Sequence, residues 1–347
     1  MSMTKGVAKT IILILIALVL LTACGEKELL PFQKDEYVLG GIRGRIMIFE
    51  TTEDKAEKSF RKAYDRVGKI EALMSTTVVG SDVYNINKNA GKAPVEVSTE
   101  TIKVIDIGRE YESITDGAFN IVLGSLIELW GIGKEWQKVP IMEEIQEAKN
   151  HIDINSLEVT DATVYIKDAN MLMDLGGIAK GYAVDEAAKT LLDNGVKHGF
   201  IELGGDIYVI GNKANGEPWY VGIQNPFIGE NNAVARIPIA NQSIVSSGDY
   251  ERYFIEDGVR YHHIIDPETG YPTVNQLVSV TIVSDSCIEG DILSTAVFVM
   301  GLEKGLDFVE SLENVEAALI TKDRDVYVTS GMKDIIEIRD NSFTIKD

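Results

Sequence analysis

The sequence predicts an α+β fold of two layers, in which mixed helices pack on a mostly antiparallel sheet. Apolar residues recur at three- and four-residue spacing over two long segments, as expected for amphipathic helices. Short β-type segments follow one another in the second half, and helices and strands do not alternate as they do around a parallel sheet. The length of 347 residues suits one compact domain or two subdomains.

Apolar spacing and turn residues place the elements of the first half. A long helix follows from the spacing of Phe60, Ala63, Val67 and Ile70, and the next one opens on Ser98, a residue type that caps helix N-termini. The predicted elements are a strand near 45–49, helices over 54–74 and 98–113, a strand over 171–175, and a helix over 178–193 that ends at Asn194-Gly195.

The second half reads as strands followed by two helices and further strands. Gly301 ends the first of these helices, since glycine commonly follows a helix C-terminus. The predicted elements are strands over 200–210, 219–224, 234–239, 260–265 and 277–284, helices over 288–300 and 303–312, and short strands to about residue 340.

The N-terminus has the features of an exported lipoprotein. Lys5 and Lys9 precede an apolar run over 11–21, which is typical of a secretory signal peptide. The run ends in LTACG, which resembles a bacterial lipobox, so residues 1–23 are predicted to be removed and Cys24 to be lipidated. An uncleaved N-terminal anchor is the alternative. Both readings place the globular part outside the cytoplasm, and the lipid would hold it on the outer face of the bacterial cytoplasmic membrane.

This interpretation divides the mature chain into a lipid-anchored tether over 24–36 and a globular domain over 37–347. The chain has 33 Lys and Arg against 54 Asp and Glu, a net charge of −21. Such a balance argues against nucleic acid as a partner, because like charges repel. A phosphate ligand would need a local cation, and a divalent metal is the obvious candidate. Cys287 has no partner in the mature chain other than Cys24, and it is interpreted as a small packed side chain.

Three short stretches have the composition of a binding site. MDLGGIAKGYAVD, residues 173–185, leads from a strand-like segment through two glycines into a helix, whose bare N-terminus could bind an anion. In SITDGAFNIVLGSLIELWGIG, residues 113–133, small residues would let a flat ring approach, and Asn120 offers a donor and an acceptor. In YHHIIDPETGYP, residues 261–272, two adjacent histidines alternate faces, so only one of them can point into a site.

A fourth stretch, CIEGDILSTAVFVMG over residues 287–301, carries the most chemistry. On a helix, Asp291 and Thr295 are four residues apart and share one face among apolar neighbours. A carboxylate and a hydroxyl in such a setting need partners, and a hard cation would satisfy both through oxygen ligands. The alternative is structural: Asp291 would cap the helix start, and Thr295 would bond back to a carbonyl.

Taken together, these stretches resemble the ApbE-type FAD:protein FMN transferase family. The resemblance rests on DGAFN…LWGIG, DLGGIAKGYAVD, HIIDPETGYP and DILSTAVFVMG in one order, with IELGGDIYVIG and WYVGIQNP between them. It implies Mg²⁺-dependent transfer of the FMN part of FAD, as a phosphoester, to a Thr or Ser hydroxyl of an acceptor protein, with release of AMP. Many members of the family are exported lipoproteins.

The resemblance also implies roles for individual residues. The metal ligands would be Asp291, Thr295, the backbone oxygen of Ala179 and, less closely matched, Ser294. His263 and Asp291 would be the catalytic residues, with His263 handling a proton or contacting phosphate. Thr77 stands where the family often has an aromatic residue near the flavin. The other residues that match flavin-nucleotide contacts are Ala118, Phe119, Asn120, Gly176, Tyr182 and Ile265.

Two other outcomes remain open from the sequence. With water in place of the acceptor, the protein would be an FAD pyrophosphatase that yields FMN and AMP. Without turnover, it would be an FAD-binding lipoprotein that stores or delivers flavin. The pair formed by Asp291 and Thr295 favours catalysis over storage.

Overall fold

The computed structural model describes residues 28–227 and 232–346. The predicted signal peptide over 1–23 and the lipidation site at Cys24 lie outside these residues. The described helices are α1 Glu53–Met74, α2 Asp82–Lys88, α3 Thr99–Ile114, α4 Gly124–Trp130, α5 Met142–Lys149, α6 Ala179–Asp193, α7 Cys287–Met300, α8 Leu302–Glu310 and α9 Ser330–Lys333.

Most of the described strands belong to one large sheet. Its order is β1-β2-β6-β7-β10-β13-β14-β15-β17, and every neighbouring pair is antiparallel except β15 and β17. These strands are β1 Leu30–Val38, β2 Ile42–Glu50, β6 Gly199–Leu203, β7 Asp206–Ile210, β10 Ser243–Gly248, β13 Leu277–Ser284, β14 Glu316–Thr321, β15 Asp325–Val328 and β17 Thr344–Lys346.

Three small sheets complete the described fold. They have the orders β3-β5-β4, β16-β9-β8 and β11-β12. Their strands are β3 Val95–Glu96, β4 Leu157–Val159, β5 Thr163–Ile166, β8 Trp219–Gln224, β9 Ala233–Ile239, β11 Tyr253–Glu256, β12 Val259–His262 and β16 Glu337–Ile338.

The central strands of the large sheet are buried on both faces. On one face, Ile46 and Ile201 pack with α1 and α6, while Val280 and Leu319 pack with α7 and α8. On the other face, side chains of β7, β10, β13 and β14 pack with the β16-β9-β8 sheet around Val234. The predicted α+β class with mostly antiparallel strands is confirmed, and the small sheet adds a layer that the sequence did not predict.

The N-terminal boundary of the fold differs from the prediction. Residues 30–36, predicted as part of the tether over 24–36, belong to β1, which pairs with β2 along its whole length from Leu30 opposite Glu50 to Val38 opposite Ile42. Because β1 lies at the edge of the sheet and alternates partly buried with exposed residues, its sequence LPFQKDEYV lacks the apolar content of a core strand. The ordered domain therefore begins before residue 37.

Two predicted strands also differ from the structure. Residues 171–175 are extended without belonging to a strand: Met173 N–H is held by the side chain of Asn87, and Asp174 N–H by the Ile121 carbonyl. The predicted strand over 200–210 is a hairpin of β6 and β7. The turn between them is Gly204-Gly205, and both glycines have positive φ, as a two-residue hairpin turn requires.

The remaining long elements lie close to their predicted positions. The Ser98 hydroxyl accepts a hydrogen bond from the Thr101 N–H, which confirms the predicted start of α3. Within the described residues, no helix is both long enough and apolar enough to cross a bilayer.

Candidate active site

The candidate site is built where α6 crosses α7. Gly181, in the first turn of α6, lies against the start of α7 so closely that a Cβ added to it would stand 2.2 Å from the Cys287 carbonyl oxygen. Glycine is therefore required by the approach of the two helices and not by an unusual φ. This contact brings the start of α6 to the face of α7 that carries Asp291 and Thr295.

Each of the two helices also supplies an aspartate to backbone N–H groups of the other. Asp185 of α6 accepts hydrogen bonds from the N–H groups of Cys287 (2.7 Å) and Ile288 (2.9 Å) at the start of α7. Asp291 of α7 accepts one from the Gly181 N–H (3.0 Å) at the start of α6. These groups are among the helix-end donors that have no intrahelical partner. The reciprocal bonds fix the position of each helix along the other.

The burial of Asp185 has an electrostatic consequence. Burial raises the pKa of Asp185 to about 6, although the two backbone donors oppose the shift. The predicted alternative in which Asp291 caps its own helix is wrong, because α7 begins at Cys287 and the Asp291 carboxylate binds α6 instead.

We expect Gly181→Ala to destabilise the protein by about 1–3 kcal/mol, since the new methyl group forces two packed helices apart. The matched control is Gly68→Ala within α1, where a Cβ would meet nothing within 4 Å. That change should stabilise the protein by about 0.5–1 kcal/mol, because alanine has the higher helix propensity. Urea unfolding measures both changes, and a Gly181→Ala variant as stable as the parent would contradict the assigned crossing.

The donors predicted for a metal lie at this crossing. Asp291 is buried, and Thr295 lies one turn further along α7, with its hydroxyl 3.9 Å from the position that a Gly177 Cβ would take. Within the described part of the chain, the Thr295 hydroxyl has no hydrogen-bond partner. Ala179 is the first residue of α6, and its carbonyl has a second lone pair beyond the one used in the helix.

The fourth predicted ligand is differently placed. The Ser294 hydroxyl donates to the Asp291 carbonyl (3.1 Å) and lies 2.8 Å from the Ser247 hydroxyl, so its bonding is already largely satisfied. Residues 28–227 and 232–346 contain no group of three or more His, Cys, Asp or Glu side chains that could hold a metal. The candidate set has one carboxylate with neutral oxygens, which fits a hard cation such as Mg²⁺ that keeps positions for phosphate and water.

Most of the residues predicted to contact the flavin nucleotide lie near the start of α6 or pack against α4, and two of them have other surroundings. Phe119 lies beside the α6 start, since a Gly177 Cβ would stand 3.2 Å from its ring. Ala118 and Asn120 flank Phe119 in the chain, and the Asn120 side chain accepts from the Val122 N–H. The Gly176 N–H donates to the Asp174 carboxylate (2.7 Å), which shapes the turn into α6.

Ile265 packs against α4, the helix that follows Phe119 and Asn120 in the chain. It is buried in a cluster with Leu123, Leu126 and Trp130, and the Trp130 indole N–H donates to the Gly270 carbonyl (2.8 Å). The stretches over 113–133 and 261–272, separate in sequence, are therefore packed together.

Two of the predicted flavin contacts have other surroundings. Tyr182 is buried on α6, where its hydroxyl donates to Glu100 (2.7 Å) and Lys103 lies over its ring. Thr77 is exposed in the loop after α1, bonded to the Ser75 hydroxyl. Neither contact places these two side chains against the metal donors, and their contact with flavin stays a prediction.

The adjacent histidines have different environments. His262 is buried, and its Nε2 lies 2.9 Å from the Thr273 carbonyl oxygen, which makes it part of the core. His263 places its Nδ1 3.3 Å from the Arg252 carbonyl oxygen. Burial and then the charges of Arg252, His262 and Lys180 lower the pKa of His263 to about 3. A neutral ring that donates from Nδ1 leaves Nε2 as a free acceptor.

Sequence reasoning placed Lys180 at the start of α6 but missed Asp206, the acid that it contacts. Lys180 lies 2.5 Å from the Asp206 Oδ1 and 4.0 Å from the Asp291 Oδ1. Asp206 is fully buried at the start of β7. The available signal was ELGGD, in which an acid follows a hairpin turn and enters an apolar strand.

The fold and site define an α+β protein in which the Asp291 carboxylate and the Thr295 hydroxyl lie at the glycine-rich start of α6. A family model described as the ApbE family matches residues 41–319, and the chain belongs to this family.

Relatives and solved structures agree with this assignment. A protein from Klebsiella pneumoniae (strain 342), named FAD:protein FMN transferase, is 34% identical over 288 residues, 82% of this chain and 89% of the relative. One of the same name from Treponema pallidum (strain Nichols) is 29% identical over 337 residues, 93% of each chain. The crystal structure of the ApbE protein from Thermotoga maritima is 31% identical, with a TM-score of 0.82 over 90% of this chain and all of that one.

Proposed function

We propose that this protein is an FAD:protein FMN transferase that moves the FMN part of FAD to a Thr or Ser hydroxyl of an acceptor protein. The observation that carries the proposal is the placement of Asp291 and Thr295 on one face of α7, beside the glycine-rich start of α6; among the described residues nothing bonds the Thr295 hydroxyl. The family relatives that bear this name support the flavin substrate and the protein acceptor.

In this proposal, the residues at the crossing bind and orient the FAD diphosphate. Asp291, Thr295 and the Ala179 carbonyl would hold Mg²⁺. When bound, that ion supplies charge neutralisation for the diphosphate, which is the largest requirement of phosphoryl transfer. Ile178 makes no side-chain cap at the start of α6, and the positive end of the helix dipole would face the phosphates there, although the Gly181 N–H is already bonded to Asp291.

The acceptor hydroxyl must lose its proton as its oxygen attacks the phosphorus of the FMN half. His263 Nε2 would take that proton or contact the phosphate, since the Arg252 carbonyl holds the other ring nitrogen as a donor and leaves Nε2 free to face the reacting groups. The new oxygen–phosphorus bond replaces the bond to the bridging diphosphate oxygen, and AMP leaves. The products are the flavinylated acceptor and AMP.

The proposal extends to the location of the protein. The signal peptide over 1–23 would export the chain, and lipid on Cys24 would anchor it to the outer face of the cytoplasmic membrane. An acceptor would then be another exported or membrane protein. Globomycin treatment of producing cells tests this step, since it should leave an uncleaved precursor, whereas unchanged processing would argue against a lipoprotein.

Mass spectrometry tests the proposed activity directly. A panel of Thr- and Ser-containing acceptor segments is incubated with the protein, FAD and Mg²⁺, and one of them should gain the mass of FMN while AMP appears in equal amount. Free FMN and AMP at the same rate without acceptor would favour the pyrophosphatase. Tight FAD binding with neither product would favour flavin storage.

The Thr295 hydroxyl can be tested by two matched substitutions. Thr295→Ser keeps the oxygen and should retain most of the activity, whereas Thr295→Val keeps the shape and should lower transfer by roughly 10–100-fold with a higher Mg²⁺ requirement. Steady-state rates against Mg²⁺ concentration measure both effects. Equal activity of the Val and Ser variants would remove Thr295 from the site.

A further inference from the structure

Asp206 occupies an unusual position for an acid. It is the first residue of β7, paired with Leu203 across the Gly204-Gly205 turn, and it has no solvent exposure. Its Oδ1 lies 2.5 Å from the Lys180 Nζ, whereas its buried Oδ2 has no hydrogen-bond partner among the described residues. Buried polar atoms without partners are rare, so this one calls for a physical reason.

Lys180 lies between two acids and is held by one of them. Its ammonium is in contact with Asp206 and remains 4.0 Å from the Asp291 Oδ1. In the described chain, the Asp291 Oδ1 therefore accepts no hydrogen bond, while its Oδ2 binds the Gly181 N–H.

We propose that Asp206 is a positioning residue for the metal site, because it binds and neutralises Lys180 and so leaves the Asp291 carboxylate available to a divalent cation. The inference rests on the proposed function, in which Asp291 is a metal ligand. Without the charge of Asp206, the nearest partner for the ammonium is Asp291, and the lysine then competes with the cation for the same oxygen.

If Lys180 competes with the cation for the Asp291 carboxylate, removing Lys180 should restore cation binding, whereas a purely structural ion pair predicts no such recovery. Asp206→Asn keeps the size and the acceptor oxygen of the side chain, but Lys180 loses its counter-charge. Combining Asp206→Asn with Lys180→Met removes both charges, so no unpaired ion stays buried. Under competition, the double variant regains the cation affinity that the single variant loses.

Binding of Mn²⁺ is the measurement, with unbound Mn²⁺ quantified by EPR as each protein is titrated at a fixed FAD concentration. We expect Asp206→Asn to raise the Kd for Mn²⁺ by about 10–100-fold. The double variant should return to within about threefold of the parent. Thermal unfolding in the absence of metal shows whether each variant is folded. If Asp206→Asn alone is not folded, the Kd of the double variant is compared with that of the parent.

The outcomes separate this inference from the proposed function. A parent protein that binds Mn²⁺ and an Asp206→Asn variant that binds it equally well would overturn the role of Asp206 alone. A double variant that is folded but stays as weak as Asp206→Asn would also overturn it. A parent that binds no Mn²⁺ would remove the metal site, and this inference with it.

Discussion

Asp291→Asn is expected to abolish metal-dependent flavin transfer while the protein stays folded. The carboxylate is the only charged group among the proposed ligands, and its Oδ2 also accepts the Gly181 N–H (3.0 Å). Asparagine can keep that hydrogen bond through its side-chain oxygen but supplies no negative charge to a cation. Loss of supporting residues around a metal commonly costs 10–100-fold, so loss of the charged ligand should lower kcat/KM by about 100-fold or more.

The matched control for this change lies on the same helix. Glu289 is partly buried on α7 and accepts a hydrogen bond from the Tyr111 hydroxyl (2.9 Å), away from the crossing with α6. Glu289→Gln removes a charge of the same sign and retains the acceptor, so transfer should stay close to that of the parent. Rates of acceptor flavinylation at saturating FAD, across a range of Mg²⁺, distinguish the two. Full activity of Asp291→Asn would refute the assigned site.

The second large effect is expected for His263→Gln. If Nε2 takes the proton of the acceptor hydroxyl, its removal should lower kcat by about 10²–10⁴-fold with little change in FAD affinity. The neighbouring His262 provides the control, since it lies in the core against Phe298 and the Thr273 carbonyl. His262→Gln should reduce stability but leave the activity of the folded protein. Equal loss in both variants would contradict the separate roles.

His263→Gln should also change the stability of the protein at acid pH. In the folded protein, burial lowers the pKa of His263 to about 3 from its ordinary value of 6.5. Below pH 6.5 the unfolded chain therefore binds a proton that the folded one does not, and stability is lost as pH falls from 6.5 toward 3. The free energy of unfolding falls through this group by at most about 1.4 kcal/mol per pH unit. Urea unfolding should show that His263→Gln loses less stability than the parent between pH 6.5 and 5.

The sequence predicted those parts of the fold that depend on local pattern. The spacing of Phe60, Val67 and Ile70 in α1 is a property of one helix, and so is the cap at Ser98. The four-residue spacing that places Asp291 and Thr295 on one face of α7 is equally local. These features can be read without knowing what packs against them.

The missed features depend on contacts between distant segments. Asp206 meets Lys180 only because the β6–β7 hairpin joins the sheet beside α6. Asp185 caps α7 because the two helices cross at Gly181, and no pattern within either helix encodes that crossing. The hydrogen bond from the Tyr182 hydroxyl to Glu100 likewise joins segments that are distant in sequence.

Anomalous diffraction from crystals grown with FAD and Mn²⁺ measures the central claim most directly. The account predicts one Mn²⁺ peak within about 2.2 Å of the oxygens of Asp291, Thr295 and Ala179, with the FAD diphosphate completing its coordination. A peak elsewhere in the protein, or FAD bound with its diphosphate away from the crossing of α6 and α7, would contradict it.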